Sequence, residues 1–125
     1  DQGRALMGLY TCSDDCQPEA ELRRYDVDGT LDWQVTLPAN VSIPRALAWS
    51  PAGYVVTASA EVINDAETKF LLQAYVPGKL APAWSYAKAT LPGLHYAQAV
   101  ALAPAAVIGG GFGSGGFWTL AFVAP

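Results

Sequence analysis

The chain is poor in charge. Only 14% of its 125 residues are Asp, Glu, Lys or Arg, against about 25% in an ordinary soluble domain. Its seven basic residues are scattered and the formal net charge is -4. No basic cluster is there to neutralise phosphates, which argues against nucleic acid and against an anionic membrane surface as partners. Disorder is excluded as well: it requires high charge and few aromatics, whereas 52% of this chain is hydrophobic and 11% aromatic.

Long uninterrupted apolar runs are also lacking. Residues 89–125 carry no charge, but Pro92, His95, Gln98, Pro104 and many glycines break the stretch. A spanning helix needs about 20 predominantly apolar residues in helical order, so no membrane span is expected. A charged segment followed by an apolar one is missing at the start, and the sequence reads as a mature form or an excised fragment. Cysteine is limited to Cys12 and Cys16, in Thr-Cys-Ser-Asp-Asp-Cys. An even, local pair in a turn-rich chain points to a disulfide, and a disulfide to an extracellular or periplasmic home. Metal binding by the pair lacks partners, because the only other strong ligand, His95, is remote in sequence. Two reduced thiols or a redox pair remain the other readings.

What is present has the grammar of β-structure. In residues 31–37, Trp33, Val35 and Leu37 fall on one side at period two, and Asp32, Gln34 and Thr36 on the other. Asp28-Gly29 between β-prone runs is a hairpin signal. Further strands are expected at 9–12, 21–25, 46–49, 54–59, 70–76, 83–88, 97–102 and 117–123, with another opening at 107–109. A flexible loop is expected over 110–116. The alanine-rich tract 97–106 tempts a helix. Its counterpart at 46–52 is too short for one and stops at Ser-Pro, so strand is preferred.

The chain also echoes itself at a spacing of roughly 50 residues. Ala46-Leu47-Ala48-Trp49-Ser50-Pro51-Ala52 parallels Ala99-Val100-Ala101-Leu102-Ala103-Pro104-Ala105. Tyr25 and Trp33 parallel Tyr75 and Trp84, Leu37-Pro38 parallels Leu91-Pro92, and residues 70–76 parallel 117–123. One β domain over 1–125 with repeat units near 1–43, 44–94 and 95–125 follows. Each unit reads as a small-residue strand, a β-branched strand, an aromatic-bearing strand and a Trp-bearing strand. The first unit lacks its small-residue strand and the third its Trp strand. Four-stranded antiparallel units at this period are the pattern of β-propeller blades.

The stretch Leu22-Arg23-Arg24-Tyr25-Asp26-Val27-Asp28-Gly29-Thr30-Leu31-Asp32-Trp33 resembles the aromatic-Asp-x-x-Gly-x-x-x-Trp hairpin of PQQ-like and related bacterial β-propeller repeats. Tyr75-Val76-Pro77-Gly78-Lys79-Leu80-Ala81-Pro82-Ala83-Trp84 keeps the aromatic, the Gly and the Trp without the Asp, and the third copy stops at Phe122. The resemblance implies an all-β fold of propeller blades and carries no catalytic residue and no cofactor site across. About two and a half blades are present, whereas closed propellers typically have four to eight. Three arrangements cover the exposed blade faces: a longer polypeptide, a ring of copies joined head to tail, or a β-sandwich that mimics the repeat.

Few residues look chemical. Gly111-Phe112-Gly113-Ser114-Gly115-Gly116 matches G-x-G-x-x-G by letter, but no helix or acidic residue follows as a dinucleotide site requires. It also departs from G-x-S-x-G at Phe112. Asp26, Asp28 and Asp32 around Gly29 are a calcium candidate, set against a hairpin whose Asp side chains bond local N–H groups. Asp14 and Asp15 are similar. His95, the single histidine, has no triad-like flank and reads as a surface or inter-blade hydrogen bonder. Trp33 and Trp84 are core by period, with a sugar-stacking platform as the other reading. Asn40-Val41-Ser42 is a glycosylation sequon by letter. The expected role is a non-enzymatic scaffold or binding module outside the cytoplasm, in a bacterial cell envelope. Its partners would be a protein, neighbouring blades, copies of itself, or a glycan. The alternative is a fragment of a propeller enzyme, either a PQQ-like dehydrogenase or a carbohydrate-active enzyme.

Overall fold

The described residues form ten strands: β1 (Ala5–Cys12), β2 (Pro18–Tyr25), β3 (Leu31–Thr36), β4 (Ala46–Trp49), β5 (Val55–Asn64), β6 (Glu67–Tyr75), β7 (Trp84–Lys88), β8 (Tyr96–Ala103), β9 (Ala106–Gly113) and β10 (Gly116–Val123). The computed structural model describes residues 5–12, 18–50, 52–89, 92–103 and 106–123. Within the alanine tract, residues 97–103 lie in β8 and Ala106 opens β9, as the strand reading expects. No helix is present among the described residues.

The strands form three antiparallel sheets in chain order: β1-β2-β3 (sheet 1), β4-β5-β6-β7 (sheet 2) and β8-β9-β10 (sheet 3). Turn chemistry sets the connections. In residues 26–29 the Gly29 N–H donates to the Asp26 carbonyl at 3.0 Å, and the Asp26 N–H donates to the Thr30 carbonyl at 2.9 Å. Gly29 stands at φ 84°, a left-handed conformation that glycine adopts without a Cβ clash. In residues 76–79 the Lys79 N–H donates to the Val76 carbonyl at 3.0 Å. There Pro77 precedes Gly78, whose φ is 87°, the order a type II turn requires.

Sheet 2 is the middle layer. Positions 55–60 of β5 and 70–75 of β6 are buried without alternation, the mark of strands covered on both faces. On one side Leu71 and Tyr75 pack with Ala20, Leu22, Trp33, Val35 and Leu37 of sheet 1 and its exit. On the other, Val56, Ala58, Phe70, Leu72 and Ala74 pack with Ala97 and Val107 of sheet 3, flanked by Trp118, Leu120 and Phe122. Each fully buried Leu, Val or Phe contributes roughly 1.5–3 kcal/mol of transfer free energy. Two apolar layers meeting in the centre are therefore the main source of cohesion.

The three sheets share one register. Ala46↔Ala58 in sheet 2 corresponds to Ala99↔Gly110 in sheet 3, and Val56↔Ala74 corresponds to Ile108↔Ala121. Arg24↔Trp33 in sheet 1 corresponds to Ala74↔Trp84 in sheet 2. Strand by strand, β4 answers to β8, β5 to β1 and β9, β6 to β2 and β10, and β7 to β3. Sheet 1 lacks a counterpart of β4 and sheet 3 a counterpart of β7 among the described residues.

The glycine-rich segment corrects a sequence expectation. It is not a flexible loop over 110–116: β9 runs to Gly113, β10 begins at Gly116, and only Ser114 and Gly115 turn the hairpin. The glycines are there for close approach. A Cβ on Gly109 would lie 2.5 Å from Leu72 Cδ1 and 3.1 Å from Phe70 Cζ of sheet 2. A Cβ on Gly111 would collide with the Tyr96 carbonyl, and one on Gly113 with the His95 ring. On the opposite face of the same strand, a Cβ on Gly110 would meet only the Trp118 carbonyl at 3.8 Å. Gly111→Ala is therefore expected to lose about 1–3 kcal/mol of stability, while Gly110→Ala is expected to be neutral to within about 0.5 kcal/mol. Chemical denaturation of the two variants checks this. Equal losses would show that β9 is sensitive to any side chain rather than to its face against sheet 2.

Candidate functional site

Two surfaces stand out among the described residues: a polar cleft between sheets 1 and 2, and the outer face of sheet 3. The cleft forms where Pro38 ends β3. The chain then turns, with the Val41 N–H donating to the Pro38 carbonyl at 2.8 Å. It is tied to β5 by a bridge between Val41 and Glu61 and by a 2.6 Å bond from the Val62 N–H to the Asn40 carbonyl. The resulting space, about 240 Å³, is lined by Pro38, Asn40, Glu61, Leu71, Gln73 and Ser85, among others.

Its polar groups are largely engaged with one another. Asn40 Nδ2 donates to Glu61 Oε1 at 3.4 Å, and Lys69 Nζ lies 3.4 Å from Glu61 Oε2. Gln73 Nε2 donates to Ser85 Oγ at 3.0 Å, and the Tyr75 hydroxyl donates to Gln73 Oε1 at 3.0 Å. Burial pushes the Tyr75 hydroxyl up to about 12, since a phenolate is costly away from water. The lining offers amide and hydroxyl hydrogen bonds and a single carboxylate. It holds no second carboxylate, imidazole or thiol to complete an acid–base pair or a nucleophile–base pair. Such a cleft can orient a polar group through its amides and hydroxyl, and its one carboxylate, Glu61, is engaged with Asn40 and Lys69.

The residues singled out from sequence are dispersed. Asp28 Oδ1 accepts from the Thr30 N–H at 2.9 Å and from the Thr30 hydroxyl at 2.7 Å. These bonds, the hydroxyl first, hold its carboxyl below the usual range. Asp32 pairs instead with Arg24, whose guanidinium also lies 5.3 Å over the Trp49 ring. Asp26 enters the turn through its backbone. Among the described residues no three His, Cys, Asp or Glu side chains are grouped to hold a metal ion. Of the cysteine pair, Cys12 ends β1, while Cys16, like Asp14 and Asp15, lies outside the described residues.

His95 is neither at the surface nor in a relay. It is wholly buried, and its ring stacks on Trp118 with centroids 4.8 Å apart. Its N–H donates to Thr68 Oγ1 at 2.7 Å, and that hydroxyl donates back to the His95 carbonyl at 2.7 Å. This exchange pins the entry to β8 onto β6. The tryptophans are structural too. Trp33 is 7% exposed, Trp84 meets Phe122 edge-on at 5.4 Å, Trp118 stacks on His95, and Trp49 lies under the Arg24 guanidinium.

Sequence reading missed the outer face of sheet 3. Ile108, Phe112 and Phe117 lie on the face opposite Val107, Gly109 and Trp118, in company with Ala99, Ala101 and Ala121. Phe117 is 92% exposed, while Phe70, its counterpart in the repeat, is 0% exposed. Ile108 and Phe112 remain 37% and 39% exposed. No charged residue lies in sheet 3. The signal was available in the parallel between 70–76 and 117–123, which pairs Phe117 with a core position. The outer face of sheet 1 is different: there Arg23 and Glu21 form an ion pair at 2.7 Å, beside exposed Glu19, Gln34 and Thr36.

Two outcomes follow from the sheet 1–sheet 2 interface. The Ser59 hydroxyl is buried there without a hydrogen-bond partner among the described residues, which costs about 1–3 kcal/mol. Ser59→Ala is expected to raise the thermal midpoint. An unchanged or lowered midpoint would mean the hydroxyl is satisfied. Tyr75 has a folded pKa above its unfolded value, so its contribution is complete below about pH 10 and is lost as pH rises toward about 12. Denaturation between pH 9 and 12 is expected to show a fall on the order of 2 kcal/mol that Tyr75→Phe lacks. The chain matches no protein-family model, and no curated protein or solved structure matches it.

Proposed function

We propose that this chain is a non-enzymatic scaffold or interaction module of propeller type, built to stack its sheets against further protein. One observation carries the reading. The outer face of sheet 3 is in register with the faces of sheets 1 and 2 that receive the next sheet. Ala20 and Leu22 of sheet 1 face sheet 2, and Phe70, Leu72 and Ala74 of sheet 2 face sheet 3. Phe117, Thr119 and Ala121 stand in the same positions of sheet 3 with nothing over them among the described residues. An apolar patch of this kind on a soluble protein marks an interaction site.

The partner on this reading is a protein surface with an apolar sheet face, and extracytoplasmic residence goes with the Cys12–Cys16 pair read as a disulfide. A catalytic role has no support in the cleft, whose single carboxylate is already paired with Lys69. A glycan role has none in the tryptophans. The closed propeller and the β-sandwich separate by mass. Sedimentation of the purified chain is expected to give a multiple of 13.2 kDa, and Phe117→Ser is expected to reduce it to the monomer with unchanged far-ultraviolet circular dichroism. A chain that is monomeric at every concentration, and unaffected by Phe117→Ser, would favour a self-sufficient sandwich and sink the stacking reading.

A further inference from the structure

The same place in the two contacts between sheets is filled in one and open in the other. Along the shared register, Leu71 of β6 corresponds to Trp118 of β10, Gln73 to Leu120, and Glu61 of β5 to Gly113 of β9. In the connecting segments Leu37-Pro38 corresponds to Leu91-Pro92, which sets Asn40 against Leu94 and Val41 against His95. The contacts agree: Val41 bridges to Glu61, and the His95 ring lies against Gly113. Between sheets 2 and 3 this place is occupied by the His95 ring stacked on Trp118. Between sheets 1 and 2 the smaller Val41 and Leu71 stand there, and a cleft of about 240 Å³ remains. We propose that this cleft is a binding site for a small neutral polyhydroxylated ligand, such as a single hexose ring.

Polarity changes together with size. Leu94 and Leu120 of one contact are replaced by the amides Asn40 and Gln73 in the other, and both amides line the cleft. A buried amide is costly unless it is hydrogen-bonded, and Gln73 is only 5% exposed. Its Oε1 accepts from the Tyr75 hydroxyl and its Nε2 donates to Ser85 Oγ, both at 3.0 Å. These bonds orient the amide without exhausting it. An amide nitrogen carries two N–H groups, and a hydroxyl is donor as well as acceptor. One N–H of Gln73, the O–H of Ser85 and the Oδ1 of Asn40 are left over among the described residues. A sugar hydroxyl donates and accepts at once, which suits leftover donors beside a leftover acceptor.

Charge and size narrow the ligand further. Glu61, the one carboxylate of the lining, is balanced by Lys69 at 3.4 Å, so no unmatched charge is there to select an ion. Leu71, Val41 and Pro38 offer apolar surface to the C–H groups of a ring. The volume lies below the roughly 300–1,000 Å³ of pockets for drug-sized ligands, which suits one ring. Asn40 and Ser85 are exposed, so the ligand enters from solvent between them. The lining runs from Pro38 to Ala87 and shares no residue with the stacking face on sheet 3. Phe117→Ser tests that face and the following experiment tests the cleft, so either proposal can fail alone.

The probes are D-glucose, D-galactose and D-mannose, each titrated into the full chain, with glucosamine and gluconate as cationic and anionic counterparts. Nitrogen–proton correlation spectra are expected to show the Gln73 side-chain amide shifting saturably with at least one hexose, at a Kd in the millimolar range. Ser85→Ala, at an exposed position, is expected to keep the fold and to weaken binding about tenfold. Leu71→Trp copies the filled contact and is expected to abolish the shift with circular dichroism unchanged. If that variant does not fold, Ser85→Ala decides alone. Three results would overturn the proposal: no saturable shift with any of the hexoses, binding that Ser85→Ala leaves intact, or tighter binding of glucosamine or gluconate than of the hexoses. The last would make the cleft a site for charge at Glu61 or Lys69.

Discussion

The constraint behind the rest of the structure is that β5 over 55–60 and β6 over 70–75 have no solvent side. Twelve consecutive-run positions, 55–60 and 70–75, are buried, so sheet 2 is stable only with a sheet on each face. Val56, Ala58, Phe70 and Leu72 look one way, and Leu71 and Tyr75 the other. An isolated sheet of this composition would present two sticky surfaces to water, and burying them is what draws sheets 1 and 3 in. The tightness of one contact is set by backbone. Gly109 and Gly111 let β9 come close enough for Phe70 and Leu72 to fill the gap. His95 and Thr68 fix the same contact from its end by exchanging two hydrogen bonds.

That constraint passes from sheet to sheet. Because the three sheets share one register, what holds for the face of sheet 2 holds for the equivalent face of sheet 3, and Phe117 is the place where the pattern stops without a partner. The outer face of sheet 1 ends differently, in the Glu21–Arg23 ion pair and exposed Glu19, Gln34 and Thr36, with Leu9 opposite Glu21 in the register. The stack is therefore asymmetric. Sheet 3 ends in exposed Ile108, Phe112 and Phe117, and sheet 1 in a mixed face where Leu9 lies opposite Glu21. On the proposed reading, function lies in the surfaces between sheets.

The calcium candidate shows how local turn chemistry absorbs side chains that look like ligands on paper. Asp28 caps its own turn through Thr30, and Asp32 answers Arg24 from the neighbouring strand. The two carboxylates are spent on different partners, one within the turn and one across the ladder. The glycine run shows the same principle for backbone. G-x-G-x-x-G suggested mobility because glycine is permissive, yet two of its glycines, Gly111 and Gly113, are required by crowding in an ordered hairpin.

The sequence by itself determined the strands. Period-two alternation in β3, Pro and Gly at the turns, and the echo of small-residue and aromatic strands were enough to place nearly every strand and to favour strand over helix in the alanine tract, because these signals are local and belong to the backbone. Tertiary structure alone decided which faces meet. It buried His95 against Trp118 between two sheets, where its loop sequence left surface and inter-blade positions both open. It turned 110–113 from loop to strand by packing it on Phe70, and it assembled the cleft of Asn40, Glu61, Gln73 and Ser85 from segments distant in the chain. It also left Phe117 exposed where its counterpart Phe70 is covered. Such features depend on what a residue lies against, and a residue type carries no record of its neighbours across a sheet interface.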